Sequence, residues 1–188
     1  FAKGGHDLQE AFKILDRKYP GRLKLKMKCN VPEEYKLKMG NVIYLEKIED
    51  PNQFYKEIFG DCDIYVQPTT TDSFGVTILE AMSTGLPIVC TDDFTLPELV
   101  EDGYNGFLVK SPVNWYPYGV KGEWGKYSEL VTQTHLETLK ELVEKISILI
   151  EDAKLREKMG KNSFNLVKNG KFSIKERGTQ KAKASLFP

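Results

Sequence analysis

The chain reads as an α/β domain on a doubly wound parallel sheet, and three observations carry that reading. Short β-rich runs alternate with helix-forming stretches as far as residue 109. The runs at 64–67, 87–90 and 106–109 are mostly apolar and four residues long, as buried strands are. The stretches between them open and close on helix punctuation, Pro51 at one start and Gly85 with Pro87 after one end.

Taken in order, Lys3-Gly4-Gly5-His6 leads into Asp7-Leu8-Gln9-Glu10, the spacing of a capping box with Asp7 as N-cap. Leu8, Ala11, Phe12 and Leu15 then fall on one helical face, and Tyr19-Pro20-Gly21 ends the helix. Leu23, Leu25, Met27 and Cys29 alternate with Lys24, Lys26 and Lys28, which predicts a half-exposed strand whose lysine row suits a sheet edge. Residues 30–40 are polar and predict irregular or briefly helical chain. A strand at 42–45 follows, then a helix over 53–59 with Phe54, Ile58 and Phe59 inward.

Residues 61–110 organise the rest. A strand at 64–67 stops at Pro68, 69–73 is polar loop, and 74–83 is a helix. Strands at 87–90 and 106–109 flank a short helix. Ligands on such sheets bind where the carboxyl ends of strands feed helix N-termini, and the 68–74 loop has that position. Residues 111–128 hold Trp115, Tyr116, Tyr118, Trp124 and Tyr127 and are longer than a usual connection. They can stack sugars, rest on a lipid interface or pack on themselves. A helix over 134–150 presents Leu136, Leu139, Leu142, Val143, Ile146 and Ile150 on its apolar face. A second runs over 152–169 to Gly170, and a basic terminal helix over 172–186.

Composition narrows the partners. The 188 residues suffice for one sizeable core. The 27 basic and 27 acidic side chains cancel, which favours neither nucleic acid nor an anionic membrane. Cys29, Cys62 and Cys90 have no metal-ligand spacing and read as structural thiols of a reducing, cytoplasmic compartment, at most peripheral at the inner membrane face. No apolar run approaches the ~18 residues of a membrane span. Phe1 in place of Met makes the chain read as a piece of something longer.

The ordered blocks Lys3-Gly4-Gly5-His6-Asp7-Leu8, Asp72-Ser-Phe-Gly-Val-Thr-Ile-Leu-Glu80, Ala81-Met82-Ser-Thr-Gly85-Leu-Pro87, Pro97-Glu98-Leu99-Val100-Glu101-Asp102-Gly103 and Asn105-Gly106-Phe107-Leu108-Val109 resemble retaining glycosyltransferases with the GT-B fold. The closest likeness is to the family-four group. The likeness implies a Rossmann-like carboxyl-terminal domain spanning 1–188, with 111–128 an insertion and 134–187 the terminal helices. Five strands are counted where such a sheet has six. The family places its first strand, with an arginine, just before the Lys-Gly pair, so that strand is expected upstream of Phe1 or from another source. The partners implied are a UDP- or GDP-linked hexose and an amino-terminal acceptor domain, through which any membrane contact would run. No metal or cofactor is implied, because lysine, arginine and a helix end meet the phosphate charge.

Roles follow residue by residue from the likeness. Lys3 pairs with the diphosphate as a point charge. Amides around Gly75, Val76 and Thr77, with Ser73 and Phe74 beside them, face phosphate oxygens and add the helix dipole. Glu80 takes the ribose diol, which a carboxylate can accept in two hydrogen bonds. Asp72 stands where the family most often has glutamate and reaches the sugar; Asp72 and Ser73 equally suit an N-cap. Ile48 and Asp50 fall in the nucleobase loop, although Glu46 replaces the family's preceding glycine. Asp72 and Glu80 are thus the expected catalytic pair. His6 and His135 match no catalytic position and read as loop or surface histidines. The terminal helix resembles the family's segment that crosses back onto the other domain. A nucleotide-sugar epimerase and a binding module without turnover remain as alternatives.

Overall fold

The computed structural model describes residues 3–29, 31–45, 50–70, 74–112 and 132–173. The insertion core at 113–131 and the terminal helix beyond 173 lie outside them, as do Ile48, Asp72 and Ser73. Five short strands appear where the pattern places them: β1 (Leu25–Met27), β2 (Val42–Tyr44), β3 (Tyr65–Gln67), β4 (Ile88–Thr91) and β5 (Gly106–Val109). All pairings are parallel, β1 with β2, then β3 with β4 and β4 with β5. Among the described residues six α-helices accompany them: α1 (Gly5–Lys18), α2 (Pro51–Phe59), α3 (Val76–Ser83), α4 (Leu96–Leu99), α5 (Leu136–Glu151) and α6 (Ala153–Lys168). A 3₁₀ turn, Glu33–Tyr35, interrupts the polar stretch after β1.

β4 is the centre of its sheet, and all four of its residues are buried. Its alternation assigns the two layers. Ile88 and Cys90 face Ile78, Ala81 and Met82 of α3 and Leu96 and Leu99 of α4. Val89 faces the other way, to a cluster with Ala11 and Leu15 of α1 and Leu142, Ile146 and Leu149 of α5. Helices on both faces make the fold Rossmann-like. Asn105, fully buried, closes the turn into β5 by accepting from the Glu101 amide at 2.8 Å and donating to the Leu99 carbonyl.

The strands form two sheets, not one. β1–β2 and β3–β4–β5 are separated by a slot of about 720 Å³. Leu25 and Met27 line it on one side, Ile64 and Val66 on the other, with Phe12 and Leu15 of α1 and Ile58 of α2 as walls. The Leu25 amide bonds Asn41 and the Met27 carbonyl accepts from Leu45, so these two residues turn their backbone groups toward β2. By parallel alternation Lys26 turns its groups to the slot. The Tyr65 amide bonds the Pro87 carbonyl just ahead of β4, which leaves Val66 facing the slot from the opposite edge.

Several local expectations give way to tertiary contacts. Asp7 is no N-cap: α1 begins at Gly5 after a left-handed Gly4, and the Asp7 carboxylate is buried against His135. Leu136 is 76% exposed, because the inward stripe of α5 centres on Leu142, Ile146 and Leu149. Six residues at roughly 100° each set Leu136 about 120° from Leu142. Asp152 caps α6 by accepting from the Leu155 amide. Of the inward trio expected on α2, Ile58 and Phe59 are buried, and the Phe54 side chain lies outside the description.

Candidate functional site

The carboxyl end of β3 gathers the candidate residues. Gln67, its last residue, is buried, and its side-chain oxygen accepts from the hydroxyls of Tyr65 and Thr77, each at 2.7 Å. Thr77 therefore fastens the first turn of α3 to the strand end. Ahead of that turn stands Gly75, left-handed at φ 74°. An added Cβ there would lie 2.9 Å from Leu96 Cδ2 and from Leu99 Cδ1, so α4 presses on this backbone. Phe74 and Gly75, expected inside the helix, instead form its entry, because a left-handed residue cannot continue a right-handed turn. The first bonds of the turn run from the Ile78 and Leu79 amides to the Gly75 carbonyl. Val76 and Thr77 precede that ladder and carry the positive end of the helix dipole.

Lys3 stands two residues ahead of α1. Gly4, beside it, touches Pro68, since a Cβ on Gly4 would fall 1.7 Å from the Pro68 carbonyl oxygen. The Lys-Gly pair and the start of α3 thus flank one strand end. Glu80, half-buried on the second turn of α3, faces α2 and accepts a hydrogen bond from Tyr55. Partial burial, then the Glu80 charge and that bond, push the Tyr55 phenol above its ordinary value. Asp50, exposed, immediately precedes α2. Sequence reasoning passed over Tyr55; its signal was an aromatic just off the inward face of the helix that follows Asp50.

The rim extends along the neighbouring strand ends. Thr91 at the end of β4 donates to the Thr69 carbonyl at 2.7 Å. Beyond β5, Ser111 donates its amide to Asp92 at 2.7 Å and its hydroxyl to Asp93 at 3.0 Å. His135 corrects the surface reading: its Nδ1 lies 2.6 Å from Asp7 Oδ2, its amide donates to Asp7 Oδ1, and Nε2 is buried without a partner. His6, in contrast, meets Thr134 at an exposed position. Burial pushes the Cys90 thiol well above its ordinary value, while Cys29 and Cys62 are part-buried and free. Among the described residues no group of His, Cys, Asp or Glu could hold a metal ion, and no helix is long and apolar enough to cross a membrane.

A parallel sheet with a helix entry at a strand end is the geometry in which nucleotide-binding domains hold phosphate. Residues 1–116 match the family model for glycosyl transferases group 1, and the chain belongs to that family. It is 28% identical over 179 residues to the capsular polysaccharide biosynthesis glycosyltransferase CapM of Staphylococcus aureus, covering 91% of this chain and 39% of that protein. It is 31% identical over 107 residues to the N,N'-diacetylbacillosaminyl-diphospho-undecaprenol alpha-1,3-N-acetylgalactosaminyltransferase of Campylobacter jejuni, 57% of this chain and 22% of the relative. The fold matches the C-terminal domain of a group 1 glycosyl transferase, LpcC, from Francisella tularensis, with a TM-score of 0.66 and 23% identity over 92% of this chain and 81% of that one. It also matches Anabaena HepE in complex with UDP and glucose, with a TM-score of 0.67 and 21% identity over all of this chain and 45% of that one. The chain therefore spans well under half the length of the first two relatives.

Proposed function

We propose that the chain is the donor-binding half of a retaining glycosyltransferase, taking a hexose from UDP or GDP and passing it to an acceptor held largely by an amino-terminal domain. The observation that carries this is the strand end just described. Gly4 meets Pro68 there, one residue after Lys3, and the left-handed entry at Gly75 opens α3 beyond the same strand, with Glu80 one turn further in. That is where a diphosphate and its ribose would lie. The HepE structure with UDP and glucose supports the donor class.

In this reading the bond from the anomeric carbon to the diphosphate oxygen breaks, and its electron pair leaves with the nucleoside diphosphate. The acceptor hydroxyl oxygen bonds to that carbon on the same face while its proton passes to the departing phosphate oxygen. Charge grows on the phosphate side, where the Val76 and Thr77 amides, the helix dipole and the Lys3 ammonium oppose it. The Glu80 carboxylate takes the ribose diol, exchanging its bond to Tyr55 for bonds to the nucleotide. Asp72, between Thr70 and Phe74 in the sequence, serves the sugar hydroxyls near the reacting carbon, and Ile48 and Asp50 the base. No metal enters.

The experiment is a transfer assay on the longer protein, with Asp72→Asn beside the wild type and the anomeric configuration of the product read by NMR. The expected result is transfer with retention, lowered about 100-fold or more in Asp72→Asn, and nucleotide affinity intact. Nucleotide binding with no transfer by the wild type would mark a binding module, and an inverted product would refute retention.

A further inference from the structure

Phe94 is the one non-glycine residue among those described that has a positive φ, 51°. The left-handed region crowds the Cβ of a phenylalanine, and such strain persists only where the surroundings impose it. Burial does not compensate it, because Phe94 remains 44% exposed. Its neighbour adds a second cost: the Thr95 hydroxyl is buried without a hydrogen-bond partner.

The surroundings explain how the turn is held. Asp92 donates its amide to Val109 at 2.9 Å, and Asp93 accepts from the Phe94 amide at 2.8 Å and from Ser111. On the far side Leu96 is fully buried against the Gly75 entry. Three residues, Asp93, Phe94 and Thr95, must therefore join two fixed points, and the result is an exposed aromatic ring two positions before the Leu96 that packs on the Gly75 entry. A folding requirement alone would be met better by asparagine or glycine at this φ.

We infer that the Phe94 ring is the stacking face for a pyranose, the apolar C–H side of a hexose lying against the ring while its hydroxyls meet polar groups of the cleft. This rests on the glycosyl-transfer reading and names a sugar contact that reading does not contain. The pyranose is that of the donor or that of the acceptor, and the two arms of the test separate them.

The test compares wild type, Phe94→Asn and Phe94→Trp in the longer protein. UDP, GDP, UDP-glucose and GDP-mannose are the calorimetric probes, the acceptor KM is measured in parallel, and thermal melts accompany both. Asparagine tolerates the left-handed region without a ring, whereas tryptophan keeps an aromatic face. The expected result for Phe94→Asn is an equal or higher Tm and nucleotide affinity within about two-fold. Either nucleotide-sugar affinity weakens or acceptor KM rises about 5- to 10-fold, the value of one lost ring face, and Phe94→Trp restores it. A loss in nucleotide-sugar affinity assigns the ring to the donor, and a rise in acceptor KM assigns it to the acceptor. Unchanged constants in Phe94→Asn, or equal losses in both variants, overturn the inference while nucleotide binding still supports the donor site. A wild type that binds none of the four probes overturns the donor-site reading and this inference with it.

Discussion

The Thr91 hydroxyl donates to the Thr69 carbonyl across 2.7 Å, and both residues are buried. This bond ties the ends of β3 and β4 together where the chain leaves β3 for the loop to α3. Thr91→Val keeps the shape and removes the donor, leaving a buried carbonyl short of a partner. The expected cost is about 1–3 kcal/mol in urea unfolding. A loss below about 0.5 kcal/mol would mean that water or another group takes over.

Gly75 fixes the entry of α3 by its left-handed backbone and its contact with α4. Gly75→Ala must strain φ and push Leu96 and Leu99, both buried. The variant should lose about 2 kcal/mol, a fall in Tm of about 4–8 °C for a chain of this size. Nucleotide affinity should fall with it, since the Val76 and Thr77 amides are aimed by this turn. An unchanged melt would show that the entry has room for a methyl group.

Cys90 sets the alkaline limit. Burial holds its thiol above the ordinary value near 9.0, so the folded chain keeps a proton that the unfolded chain releases. The sign follows: this contribution is complete below the unfolded pKa and is lost as pH rises above about 9. Unfolding free energy should then fall by up to about 1.4 kcal/mol per pH unit for this one group. Cys90→Ala should start less stable and show a shallower alkaline slope; equal slopes would assign the loss to other groups, such as part-buried Cys29 and Cys62.

Much of this was legible from periodicity and punctuation. The five strands, the parallel layering and the helix ends at Tyr19, Gly85 and Gly170 follow from apolar spacing and from Gly and Pro, which act locally. What was not legible depends on distant partners. Asp7 has the spacing of a cap, but its carboxylate meets His135, 128 residues away. Gly75 falls inside the expected helix, whereas its left-handed φ and its close approach to α4 belong to the closed fold. The Tyr55 contact with Glu80 joins two helices on one layer, and helical spacing alone does not show which exposed aromatic will reach across. Phe94 looks ordinary in sequence, because strain belongs to the closed turn and not to the residue.

The slot between β1 and β3 has a strand edge on each side, at Lys26 and at Val66. An apolar strand of about six residues, fused ahead of Phe1, should pair with the Lys26 and Val66 edges and bury the slot walls. Hydrogen exchange should slow at both amides, Cys29 and Cys62, which line the slot, should label more slowly, and Tm should rise. A same-length extension with alternating lysines should do none of these. Equal effects from both extensions, or protection already present in a dimer of the unextended chain, would speak against a strand from this chain.

The most direct test of the central claim is titration calorimetry of UDP and GDP into the protein and into Glu80→Ala. The account predicts that one nucleotide binds selectively and that Glu80→Ala weakens it about 10-fold or more, the loss of charge-assisted bonds to the ribose. Binding of equal strength in Glu80→Ala, or binding of neither nucleotide by the strand-completed wild type, would contradict it.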